Sequence, residues 1–116
     1  MLAVEIGEQL GLSRPRLRGL AIGGLLHDIG KLSVPDAILQ KPGPLDEDEF
    51  AAIKLHPERG RDLLNELGGF DEGVTRLVLD HHERLDGRGY PRGVGAPDLD
   101  LETRILAVCD VYDALV

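Results

Sequence analysis

The chain has 116 residues, 42% hydrophobic but only 3% aromatic and without Trp, so one small core of Leu, Ile, Val and Ala is expected, burying roughly two thirds of the unfolded surface. Its 21 acidic and 13 basic residues give a formal charge of −8, which argues against binding a nucleic-acid polymer through basic surface while leaving room for one small phosphate ligand. No apolar run reaches the roughly 18 residues needed to span a bilayer, the N-terminus lacks signal-peptide features, and repeats and linker-like tracts are absent, so the sequence reads as a single cytoplasmic domain with no membrane contact.

Residues Leu2 to Leu10 read as a helix stopped at Gly11, a residue suited to a left-handed cap. Ser13 suits the next N-cap, Pro15 fits a first turn, and Leu12 can staple onto Leu17, which predicts a helix from about Arg14 to Ile29, ending near Gly30. Leu17, Leu20, Ala21, Gly24 and Asp28 recur on it at helical spacing, while Ile22, Leu25, Leu26 and Ile29 make its other faces apolar, so it is expected to be buried all round. Its end carries His27-Asp28-Ile29-Gly30-Lys31. A carboxylate and an imidazole on a buried helix are costly unless paired or bound to a cation. Taken alone, such a pair is more often a local hydrogen-bonded pair at a helix end than a metal site.

Val34 to Leu39 reads as a short helix, followed by a loop with Pro42, Gly43 and Pro44. Asp46 with Glu49 forms a capping-box pair and Leu45 with Phe50 occupies the staple positions, so a helix opens at Asp46, and Pro57 is expected to kink or split it. Beyond the kink His56, Gly60, Leu63, Leu64 and Leu67 share one stripe. That puts His56 on a buried face, where by itself it would read as a satisfied core or N-cap histidine, and lets Gly60 admit another backbone closely.

Gly68-Gly69 breaks that helix, and Asp71 is expected to cap another running to about Glu83 with Val74, Leu77 and Val78 inward. The same period continues to His81, His82 and Leu85, placing both histidines on the core side, although a lone His-His pair could equally serve a helix C-terminus. From Arg84 to Leu99 the chain has four glycines and two prolines, which disfavours helix and strand. Structureless connections longer than about 12 residues are uncommon unless functional, so this segment reads as a binding loop with Arg88 and Tyr90 as contact residues. Leu101 to Val116 is apolar on nearly every face and is expected to be a buried helix; Asp110 within it needs a cation or strong donors, while Asp113 lies nearer the surface. Cys109, the only cysteine, precludes an internal disulfide and reads as small core filler.

His27, Asp28, His56, His81, His82 and Asp110 thus come from four expected helices and include every histidine in the chain. Mixed imidazole and carboxylate donors suit Fe, Mn or Zn, and a carboxylate can bridge two ions, which is the equipment of phosphoester hydrolysis. With these residues in place the chain resembles the HD-GYP branch of the HD phosphohydrolase superfamily, the name denoting His27-Asp28 and Gly89-Tyr90-Pro91 here. The likeness extends through Gly30-Lys31, His56 with Gly60, His81-His82-Glu83 with Asp86-Gly87, and Asp110 with Tyr112-Asp113-Ala114.

The resemblance implies an all-α helical bundle with a long Gly/Pro-rich loop, and hydrolysis of the bacterial second messenger cyclic di-GMP to linear dinucleotide or GMP. It implies two divalent transition metals, three in a complete domain, Fe or Mn ahead of Zn. Asp28 would bridge the ions and act in catalysis, His27 and Asp110 would share the first, His56, His81 and His82 would surround its neighbour, and Lys31 would hold a substrate phosphate alongside Arg88 and Tyr90. A sensory or receiver domain, a diguanylate cyclase and a homodimer are the partners it suggests. Two features depart from the family pattern. A Glu and a His that complete the metal cluster belong to a further helix segment at the start of the family's domain, whose His would fall just before Met1 with Glu5 and Glu8 not aligning, and the basic residues that contact the second phosphate would fall beyond Val116. Residues 1–116 are therefore expected to be one partial domain, with uncovered apolar faces that favour self-association. The alternative reading is a catalytically silent signalling module that binds a cyclic nucleotide or a partner protein through the Gly-Tyr-Pro loop. Hydrolysis of ordinary mononucleotides is disfavoured by that loop.

Overall fold

A computed structural model describes residues 1–115; Val116, at which the last expected helix ends, lies outside the described residues. In chain order the helices are α1 (Leu2–Gln9), α2 (Arg14–Leu26), a 3-10 turn (Ile29–Ser33), α3 (Asp36–Leu39), α4 (Glu47–Lys54), α5 (His56–Leu67), α6 (Glu72–Asp80), a second 3-10 turn (Ala96–Asp98) and α7 (Leu101–Leu115). No strand occurs among the described residues, so the all-α expectation holds, and among them no helix is long and apolar enough to cross a membrane.

The helix starts follow the local chemistry. Asp46 accepts from the Glu49 backbone N–H at 2.8 Å while the Glu49 carboxylate accepts from the Asp46 N–H at 3.0 Å, a closed capping box that starts α4. Ser13 and Asp71 take the extended backbone of an N-cap without a side-chain bond to the helix. Pro57 splits the expected long helix into α4 and α5 at Leu55, because a proline ring inside a helix removes one ladder bond and clashes with the preceding turn. After α1, Gly11 takes φ +82°, the left-handed region its missing Cβ makes accessible.

Two helices stop three residues early, and both stops build the site. α2 ends at Leu26 rather than Ile29, and the chain tightens into a 3-10 turn that lays Gly30 on α5. A Cβ on Gly30 would strike the His56 carbonyl and lie 2.6 Å from the Gly60 nitrogen, so this backbone crossing requires glycine on one side and is eased by Gly60 on the other. α6 ends at Asp80 rather than Glu83, leaving His81 and His82 in the following turn.

The interior holds two apolar clusters. Ala3, Leu12, Leu20, Leu77, Ile105, Leu106 and Cys109 join α1, α2, α6 and α7; Leu64, Val74 and Val78 join α5 to α6. Leu20 and Leu64 are fully buried, each contributing about 1.5–3 kcal/mol of transfer free energy. Two expectations of all-round burial are corrected. Leu25 on α2 is 77% exposed, and on α7 Val108, Val111 and Leu115 are 65%, 61% and 81% exposed. α7 packs with one face only, since α1, α2 and α6 contact it from the side that carries Ile105, Leu106 and Cys109, whereas α2 packs on both apolar clusters and leaves only the side of Leu25 open. Cys109 is buried as expected.

Candidate metal centre

Three histidines are oriented by the same device at three helix ends. The last carbonyls of a helix have no intrahelical partner. His27 Nδ1–H donates to the Gly24 carbonyl at the end of α2 (2.6 Å), His56 Nδ1–H to that of Ile53 at the end of α4 (2.7 Å), and His81 Nδ1–H to that of Val78 at the end of α6 (2.7 Å). A nitrogen that faces a carbonyl oxygen must carry a proton, so in the neutral form each ring turns the lone pair of Nε2 to the interior. Early termination of α2 and α6 is what places His27 and His81 one residue beyond the helix, where their rings can turn back onto it.

Those nitrogens converge on Asp28. His56 Nε2 and His81 Nε2 lie 3.1 Å apart and 3.3 and 3.6 Å from Asp28 Oδ1, while His27 Nε2 lies 3.2 Å from both Asp28 Oδ2 and Asp110 Oδ1. His82 Nε2 is 4.0 Å from Asp110 Oδ2. Donor atoms of Asp28, His56, His81 and His82 form one group and those of His27, Asp28 and Asp110 a second, each spanning no more than 4.8 Å, with Asp28 in both. Asp28 Oδ1 is buried and makes no hydrogen bond despite the two imidazoles beside it. Inward lone pairs 3.1 Å apart, with an unpartnered carboxylate oxygen against them, repel unless positive charge lies among them. The donor set therefore fits divalent cations, and the chemistry of mixed imidazole and carboxylate oxygen is that of Fe, Mn and Zn sites.

Electrostatics divide the histidines. The hydrogen bond to Asp110 foremost, then that to Asp28, raises His27 to about 10, so a proton and a cation compete for its Nε2. Burial first, then the neighbouring His81 and His56, lowers His82 to about 4, leaving it neutral and free to ligate near neutral pH. Burial, the largest influence on Asp28, would raise it, but His27, His56 and His81 together hold it far below the usual carboxylate range. The hydrogen bond from His27 likewise lowers Asp110.

The residues expected to contact substrate lie beside this cluster. Lys31 Nζ stands 3.5 Å from Asp28 Oδ2, one turn beyond it. Arg88 and Tyr90 line a cavity of about 550 Å³ together with His81, His82 and Asp110. The Tyr90 ring stacks on His82 with centroids 5.0 Å apart and planes at 16°, and burial raises its phenol above the ordinary value. The structure thus brings together the six expected ligands, with Arg88 and Tyr90 on one side and Lys31 on another. An apolar hollow of about 480 Å³ between Leu85, Leu99 and Val108 touches none of the six.

Sequence reasoning missed several neighbours. Lys54 lies 5.4 Å from the Tyr90 ring centroid and 5.0 Å from that of Phe50, at the same cavity; Phe50 had been assigned only a staple role, and nothing in the local pattern marks Lys54. Asp80 and Arg92 were passed over as well. Their pairing is bidentate, with Nη2 2.8 and 2.7 Å from the two Asp80 oxygens. Asp80 did carry a signal, a carboxylate in the otherwise apolar face that leads to His81.

The profile of the HD domain family matches residues 1–116. A cyclic di-GMP phosphodiesterase of Pseudomonas aeruginosa is 45% identical over 114 residues, covering 98% of this chain and 28% of that protein. A cyclic di-GMP phosphodiesterase response regulator of Xanthomonas campestris pv. campestris is 46% identical over 112 residues, covering 96% of this chain and 30% of its own length. A 3′3′-cGAMP-specific phosphodiesterase of Vibrio cholerae is 46% identical over 110 residues, covering 95% of this chain and 24% of that protein. The chain spans less than a third of the length of these relatives.

Proposed function

Because the chain belongs to the HD-domain family, in its HD-GYP branch, we propose that residues 1–116 form one domain of a metal-dependent phosphodiesterase that hydrolyses cyclic di-GMP to linear dinucleotide or GMP. The observation that carries this reading is Asp28, a buried carboxylate shared by two groups of inward-facing ligands. His27, Asp28 and Asp110 would hold one divalent ion and Asp28, His56, His81 and His82 the other, with Fe or Mn preferred to Zn. Such ions, when bound, acidify water and offset the negative charge that builds on phosphoryl oxygens.

The chain's own residues supply the rest. Asp28 and the Nδ1-anchored histidines hold the donors in place before substrate arrives, so little reorganisation accompanies reaction. Lys31 sets a cation next to Asp28 for one phosphate. Tyr90, stacked on His82, forms an apolar wall for a base, and Arg88 stands beside it at the cavity. In net terms one phosphodiester P–O bond breaks as one water adds across it to give the linear dinucleotide, and a second such hydrolysis gives GMP. A receiver or sensory domain and a diguanylate cyclase complete the proposed signalling context, supported by the relative that is by name a response regulator. The exposed Val108, Val111 and Leu115 support a homodimer.

Incubating metal-loaded protein with cyclic di-GMP, 3′3′-cGAMP and mononucleotides, then resolving the products, tests the reading. Turnover of the cyclic dinucleotides, cyclic di-GMP fastest, is expected. Ligand binding without turnover in Fe-, Mn- and Zn-loaded protein would replace it with the silent signalling module, and turnover of mononucleotides alone would overturn the substrate class.

A further inference from the structure

The end of α6 and the turn that follows it carry two kinds of side chain, a pair of histidines flanked by two carboxylates. His81 and His82 face the ligand cluster, whereas Asp80 and Glu83, 1% and 4% exposed, face the 84–99 loop. Asp80 receives the Arg92 guanidinium at 2.7 and 2.8 Å through Nη2 and 3.2 Å through Nε. Glu83 accepts the backbone N–H of Arg92 on Oε2 (2.6 Å) and that of Val94 on Oε1 (3.1 Å). The Tyr90 N–H donates to the His82 carbonyl at 3.2 Å, and Gly89 passes so close that a Cβ there would lie 2.5 Å from Glu83 Cα. Two carboxylates buried to this degree are costly unless fully paired, and here each is paired with a segment two to four residues past Tyr90.

We infer that Asp80, Glu83 and Arg92 act as a positioning clamp that holds Tyr90 stacked on His82, so that the loop which meets substrate and the turn which carries two cation donors move as one body. Asp80 does not line the cavity, and Glu83, which does, belongs to neither ligand group; both act through Tyr90. A planar guanidinium held bidentately fixes orientation as well as distance, which a single point charge does not. The position of Tyr90 is a claim about this chain alone, while its consequence for substrate rests on the phosphodiesterase reading.

Two measurements separate these layers. In metal-free protein the His82 ring protons sit over the Tyr90 ring, and their NMR shifts report the stacking whether or not the protein turns over substrate. Arg92→Ala is expected to move them as far toward the unstacked position as Tyr90→Ala does, and Arg92→Lys about halfway. In metal-loaded protein, Arg92→Ala should raise KM for cyclic di-GMP about tenfold with a smaller change in kcat and undiminished metal content. Combining it with Tyr90→Ala should raise KM no further than Tyr90→Ala alone. Unchanged His82 shifts in Arg92→Ala would overturn the clamp, as would KM effects of the two substitutions that multiply. Should Arg92→Ala fail to fold, Arg92→Lys is decisive, because wild-type His82 shifts in a variant without the bidentate contact would equally overturn it. A wild-type protein without turnover would count against the phosphodiesterase reading and leave the NMR result to decide the clamp.

Discussion

The same helices close two interiors in different ways. At one end Ala3, Leu12, Leu20, Leu77, Ile105, Leu106 and Cys109 pack into a cluster from which water is almost wholly removed. At the other, just past the end of α6 and one residue further along α7, His81, His82 and Asp110 meet His27, Asp28 and His56. Apolar burial is non-directional, so any arrangement of methyl groups that fills space completes the first cluster. The second is completed only by direction and charge. Its rings are aimed by helix-end carbonyls, yet Asp28 Oδ1 finds no donor and two lone-pair nitrogens face one another at 3.1 Å. One cluster stabilises the fold; the other is held in an arrangement that the fold sustains and a cation would relieve.

Asp28→Asn should break that contrast most severely. It keeps the volume of the side chain and removes the charge shared by both donor groups, so bound metal should fall below one ion per chain, and turnover by more than the roughly 100-fold that loss of an outer-shell partner can cost. Helix content should hold because the side chain keeps its size, while the thermal midpoint of the metal-free chain should fall modestly, since the charge paired with His27 is lost. Elemental analysis and circular dichroism decide it, and two ions retained by the variant would remove Asp28 from the ligand set. His81→Ala sharpens the point: it belongs to one group only, so one of two ions should remain.

In the apolar cluster the effects should be inverted. Leu20 is fully buried among α1, α2, α6 and α7, and Leu20→Ala should cost about 2–5 kcal/mol of stability, seen as a lower urea midpoint at unchanged slope. The fraction still folded should carry the same number of ions as the unaltered chain. Loss of metal in proportion to loss of stability would show that the two interiors are one cooperative unit.

What could be read from the residues themselves divides along the same line. The apolar periodicity of residues 74–78, the Asp46–Glu49 box, the break at Pro57 and the glycine at Gly60 are local signals, and each produced the element expected. The six candidate ligands were legible because histidine and aspartate stand out in apolar stripes. The early ends of α2 and α6 were not, since the pattern of apolar residues runs on past Leu26 and Asp80; the chain after α2 turns to let Gly30 cross the backbone of His56, 26 residues away in the chain. Exposure of Val108, Val111 and Leu115 was illegible for a related reason, because an apolar helix does not state which of its faces a neighbour will cover. The Asp80–Arg92 pair joins two residues with no periodic relation, one in a loop that has no period to read.

A smaller effect should appear with pH, and its two signs oppose. His27 is raised from 6.5 to about 10, so in metal-free protein its contribution to stability is fully present below about pH 6.5 and is lost as pH rises through about 10. A cation at the same nitrogen must displace that proton, so affinity for the His27, Asp28 and Asp110 group should rise about tenfold per pH unit over that window. Calorimetric titration with Mn at pH 6.5 and 8.5, alongside thermal unfolding of the metal-free chain, reads both. The apolar cluster contains no group that titrates near neutrality, so Leu20→Ala should leave the pH dependence as it is. Metal affinity independent of pH would mean that His27 is not a ligand.

The smallest effect belongs to Lys31, and it separates holding the cations from using them. Lys31 lies 3.5 Å from Asp28 Oδ2 with 40% of its side chain exposed, and a protonated amine cannot ligate a cation. Where cations occupy the cluster, its positive charge does not help to bind them; it opposes them slightly and is available instead to an anion arriving from solvent. Lys31→Ala should therefore leave the ion count at its wild-type value and raise KM for cyclic di-GMP about tenfold, the loss expected for one partly exposed charge-assisted contact of about 1.5 kcal/mol. The salt dependence of KM should weaken in the variant, because a partly exposed contact is screened by ions in a way that the buried donors are not. If the variant instead lost metal along with substrate affinity, Lys31 would belong with the histidines as a support of the cluster, and the boundary drawn between donors and substrate contacts would have to move one helical turn along the chain.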